Sequence, residues 1–109
     1  MTLTEIYNMV VQVGVPVAYF QFSDATAKEP PFICYYYPND DDFSADNINY
    51  ARINQLVIEL YTDNKDFALE SQLETVLIQH DMYFDKTETY IDDEKMYMIT
   101  YTMEVLINA

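Results

Sequence analysis

Cys34 and His80 are the only cysteine and the only histidine of the chain, and they are the one pair whose side-chain types fit a nucleophile and its base. Their settings argue against that chemistry. Cys34 stands in an apolar run, Phe32 to Tyr37, with no basic neighbour in sequence to hold a thiolate, which is the setting of a buried and inert thiol. His80 closes a helical pattern, where an imidazole serves the negative end of the helix dipole. A metal is the next candidate, because Asp40, Asp42, Ser44 and Asp46 have the alternate spacing of a calcium loop. Ala45 occupies the position that needs glycine, however, and Ala51 that of the bidentate glutamate, so the EF-hand reading fails and no metal site is assigned. With Gly14 as the only glycine, a glycine-rich phosphate cradle is also excluded. Carboxylates are plentiful, but acids scattered over turns and helix faces do not specify a general acid and base. Tyr35, Tyr36 and Tyr37 have the flat rings that stack on bases, yet a chain with five basic residues cannot neutralise a phosphate backbone. The expectation is a protein without catalytic residues, cofactor or sequence-specific nucleic-acid binding.

The composition turns that expectation towards contact. A formal charge of -14 accompanies a hydrophobic content of 50%, enough for a full core, so the acid is solvated surface rather than a disordered tail. A length of 109 residues fits a single domain spanning 1–109 that needs neither disulfide nor metal to be stable. One cysteine forms no internal disulfide and suits a reducing compartment, while the absence of a basic leader and of a long apolar run reads as a soluble protein made in the cytoplasm, with no membrane role. The acid is uneven: Asp40, Asp41, Asp42 and Asp46 crowd one segment, and most of the rest lies in the C-terminal half.

Positioning these residues requires seven elements. Thr2 and Glu5 are spaced for a capping box, Leu3, Ile6, Val10 and Val13 recur at helical intervals, and Gly14 with Pro16 supplies a stop. Two strands follow, Pro16 to Phe22 and Phe32 to Tyr37, joined by a polar connection from Ser23 to Pro31. Asn39 to Asn49 has no periodicity and reads as the longest loop. From Tyr50 to Thr62 the pattern alternates, with Leu56, Ile58 and Leu60 on one side. Asp63 or Asn64 is placed to cap a second helix over about 65–79, with Leu69, Leu73, Val76 and Leu77 inward and Glu70 and Glu74 outward. Two last strands, about 83–91 and 95–107, meet at the acidic turn Asp92, Asp93, Glu94, and Tyr97, Ile99, Tyr101, Met103 and Val105 share one face of the second. The order α-β-β-β-α-β-β predicts an α+β domain, a mainly antiparallel sheet with two helices packed on one face.

Several stretches of this pattern resemble a known family. Pro31 to Tyr35, then Ala45, Asp46 and Asn47, then Ile58 to Asp66, are similar to the small tail-completion proteins, or tail terminators, of long-tailed bacteriophages and prophages. Glu70, Glu74 and Leu77, with Thr89 to Tyr97, resemble the helix and final hairpin of the same proteins, and the likeness runs from about Val15 to Leu106. The head-tail adaptors of these phages share the size and role. The resemblance implies a virion protein at the head-proximal end of the tail. It would form a homo-oligomeric ring, a hexamer, that ends the major tail tube protein and presents a joining surface to the head connector protein. Asp40, Asp41, Asp42 and Asp46, with Asp92, Asp93 and Glu94, are then candidates for the ring lumen or a docking surface, since carboxylates let DNA slide by repelling phosphate. The alternative from another class is an acidic DNA mimic that occupies the basic groove of a DNA-binding host protein.

Overall fold

In the computed structural model, which describes residues 1–22, 29–38 and 52–108, the capping box forms as its spacing predicts. The Glu5 N–H donates to Thr2 Oγ1 at 3.1 Å and the Thr2 N–H to Glu5 Oε1 at 2.8 Å, which satisfies two backbone donors at the start of α1 (Leu3–Val11). Ile6, Met9 and Val10 are its buried residues, followed by Val13 beyond the helix. Leu3, which the helical spacing groups with Ile6, Val10 and Val13, is instead 46% exposed and shares an outer stripe with Tyr7 and Val11, because positions four apart lie on one helix face. Gly14, at φ +92, turns the chain out of the helix, in a region that residues with a Cβ rarely enter.

Among the described residues five strands follow in two groups around α2 (Phe67–Gln79): β1 (Val17–Tyr19), β2 (Phe32–Tyr36) and β3 (Arg52–Thr62) before it, β4 (Phe84–Ile91) and β5 (Met96–Ile107) after it. They form one sheet in the order β1-β2-β3-β5-β4. β1 runs parallel to β2, and every other neighbour is antiparallel. The fold is therefore the α+β arrangement the element order predicts. The longest pairing, β3 with β5, sets Leu60 against Ile99, Ile58 against Tyr101 and Leu56 against Met103. Because side chains alternate along a strand, these residues share one face with Ile33 and Tyr35 of β2, and both helices cover it. Leu73, Val76 and Leu77 of α2 (Phe67–Gln79) complete that core.

The start of α2 differs from expectation, whereas its end falls at the expected Gln79. Asp66 is the N-cap, accepting from the Leu69 N–H at 3.0 Å, whereas Asp63 accepts from the Asn64 N–H within the preceding turn. At the other end, Asp81 at φ +60 donates its N–H to the Ile78 carbonyl at 3.0 Å, and the Met82 N–H donates to Leu77 at 2.9 Å. This is a Schellman termination with aspartate at the site where glycine is usual, and His80 is the C-cap before it. No helix among the described residues is long and apolar enough to cross a membrane.

Candidate functional site

With the helices on one side, the other face of the sheet has no helix or strand over it among the described residues. Register decides what it displays. Phe32, Cys34 and Tyr36 of β2 stand opposite Tyr61, Glu59 and Val57 of β3, so two aromatic positions flank the Cys34–Glu59 pair. Phe32 stacks on Tyr61, with ring centroids 4.8 Å apart and planes 22° from parallel. Phe20 stacks on Tyr36 at 5.5 Å and 26°, and Phe22 meets the Phe32 ring edge-on at 5.4 Å. Phe20 reaches this position through an unusual turn. Its φ is +69, and the Gln21 N–H bonds back to the Tyr19 carbonyl at 2.8 Å, the three-residue γ-turn that is strained for a residue with a side chain. The ring it presents is 63% exposed.

These residues enclose a groove of about 460 Å³ lined by Phe20, Gln21, Phe22, Phe32, Cys34, Glu59, Tyr61, Glu94 and Met96. Glu59 is fixed in its floor. Its Oε1 accepts from the Tyr61 hydroxyl at 2.8 Å and its Oε2 from that of Tyr36 at 3.4 Å. Burial, with the Glu59 carboxylate beside it, pushes the Tyr61 phenol well above its ordinary value, so this hydroxyl remains a donor. Among the described residues neither Glu59 nor Glu94 has an ion-pair partner.

Of the acidic residues singled out in the sequence as a lumen or docking surface, Glu94 is the one the structure brings to this groove. It belongs to the exposed turn between β4 and β5 with Asp92 and Asp93, where the Glu94 N–H donates to the Ile91 carbonyl at 3.3 Å. Lys95, expected to begin β5, lies in the turn at φ +53. Asp40, Asp41, Asp42 and Asp46 lie outside the described residues, as does the loop they belong to. Cys34 and His80 are not brought together: Cys34 shares the groove face with Glu59, while His80 ends a helix on the opposite face. Burial, reinforced by Glu59 and opposed by the Phe22 N–H, pushes the Cys34 thiol up to about 11, so it is a protonated, weakly nucleophilic group near neutral pH. Among the described residues no three His, Cys, Asp or Glu side chains are grouped to hold a metal ion.

A second polar cluster lies on the helix side of the sheet. Glu70, expected to face outward, is 2% exposed and lies between Lys65 and Lys86, the latter at 2.9 Å. Lys86 also meets Glu74 at 2.7 Å, Lys65 meets Glu88, and the Tyr101 hydroxyl donates to Glu74 at 2.8 Å. Burial alone would raise the Glu70 carboxyl, but hydrogen bonds and charge from the two lysines outweigh it and hold the group below the usual carboxylate range. A carboxylate held ionised in this way is a poor proton donor at neutral pH. The cluster is a clasp between α2 and the edge strand β4.

No family model matches the chain, and no curated protein matches it.

Proposed function

We propose that this chain is a structural assembly subunit of a long-tailed phage or prophage, the tail-completion protein that ends the tail tube and offers the joining surface to the head connector. One observation carries the reading beyond the resemblance. The sheet is closed by helices on one face, whereas the other bears the exposed ring of Phe20 and the half-buried rings of Phe22, Phe32, Tyr36 and Tyr61 around an oriented carboxylate, with an acidic turn at the rim. Such a surface is suited to being covered by another protein. A ring needs a second, different patch on each subunit, and the outer stripe of α1, with Leu3, Tyr7 and Val11 at 40–47% exposure, supplies one.

In this role the subunit would join copies of itself through unlike patches and leave its acidic turns towards the axis or the connector, where carboxylates repel packaged DNA. Native mass spectrometry of the purified chain, alone and with tail tubes, tests this directly. Rings, six-membered by the family resemblance, and capping of one tube end are the expected result. A monomer or dimer that ignores tubes and captures a basic DNA-binding protein would replace the reading with the DNA mimic. Binding to the connector without binding to tubes would replace it with the head-tail adaptor.

A further inference from the structure

We propose that the open-face groove is a recognition site for an arginine side chain carried by a segment of another protein. The floor supplies a carboxylate that two phenols have already oriented, Tyr61 at 2.8 Å and Tyr36 at 3.4 Å, leaving its remaining lone pairs for an incoming donor. The walls supply flat rings: Phe32 on Tyr61 at one end and Phe20 on Tyr36 at the other, with Glu59 between them in the register. A planar guanidinium stacks on an aromatic face and donates to a carboxylate at once, which a lysine ammonium does less well. Glu94 at the rim adds a second acceptor. Neither carboxylate has a cationic partner among the described residues, and the chain's charge of -14 favours the approach of a basic segment.

A groove of about 460 Å³ has room for the side chain and part of the backbone that carries it. The strained γ-turn at Phe20 is accounted for in the same way, since it holds an apolar ring over the groove that would otherwise have folded back or turned away. The proposal rests on the reading of this protein as one that acts by contact. It does not depend on the phage assignment.

The test is a titration of the full-length, isotopically labelled chain with N-acetyl-arginine amide, followed by amide NMR, with the lysine and leucine amides run in parallel. Saturable shifts at Phe22, Cys34, Glu59, Tyr61 and Met96 are expected, with arginine bound several-fold more tightly than lysine and leucine without effect. Glu59→Gln should weaken binding about tenfold, as expected for loss of a charge-assisted hydrogen bond. Glu94→Gln, in an exposed turn, should weaken it about two- to threefold with the spectrum otherwise unchanged, so a folding defect is separable from a lost contact. Equal response to the leucine amide, arginine shifts spread over the acidic surface without preference for the groove, or unchanged affinity in both variants would each overturn the proposal. Because the titration needs neither ring nor tail, a protein that binds arginine here but does not cap tubes would refute the phage reading alone.

Discussion

The two faces of this sheet come from the same strands and have opposite fates. On the helix side, Leu56, Ile58, Leu60, Ile99 and Tyr101 are fully buried, and the chain itself supplies everything they touch. On the open side, Phe20, Ile53 and Leu106 remain more than half exposed, and the polar groups between them are arranged but not neutralised. One face is finished by folding. The other is, on the proposed reading, left for a partner to cover, so substitutions on the first should cost stability and those on the second should cost binding.

The largest expected effect follows on the helix side. Leu56→Ala should destabilise the protein by about 2–5 kcal/mol, since a fully buried leucine is replaced by a cavity, and chemical denaturation would measure it. Next is the clasp on the same face. Glu70→Gln should cost about 1–3 kcal/mol, because it leaves Lys65 and Lys86 without their buried charge partner. The pH dependence has a definite sign. A carboxyl held below its ordinary value of 4.5 stabilises the fold fully above that pH, and the contribution is lost as pH falls through the lower folded value. Lys65 and Lys86 are raised above 10.5, so their share is complete below that pH and is lost as pH rises through the folded values. Thermal melts of wild type and Glu70→Gln should therefore differ most between these limits and converge in acid.

A smaller effect of opposite sign is expected at the end of α2. Asp81→Gly should stabilise by about 0.5–1 kcal/mol, because glycine takes the left-handed conformation that aspartate adopts there at a cost. The smallest belongs to the open face. Phe20→Ala should change stability by less than about 0.5 kcal/mol, as a substitution of a mostly exposed ring, and a larger loss would erase the contrast between the faces.

The helix-side face was largely legible in the sequence, and the open face was not. Alternation in β3 and β5 assigned Leu56, Ile58 and Leu60, and then Ile99, Tyr101 and Met103, to the core, because period-two patterning reports which residues meet the helices. Helix periodicity was less reliable. It ranked apolar residues inward and placed Glu70 outside, since the lysine from β4 that makes its burial tolerable lies on another element. The groove draws on β2, β3, the segment after β1, the last turn and the start of β5, and only the pairings of β1 with β2, β2 with β3 and β3 with β5 bring these together. A partial signal existed in the alternating Phe32, Cys34 and Tyr36, which mark a second non-polar face on a strand whose other face, Ile33 and Tyr35, joins the core.

The most direct test compares wild type with a Phe20→Ala/Glu94→Gln double variant in electron micrographs of tail tubes, after melting curves have shown that the two are equally stable. The account predicts that wild type caps one end of the tube and that the double variant leaves it bare. Tubes left uncapped by wild type, or capped equally well by both proteins, would contradict it.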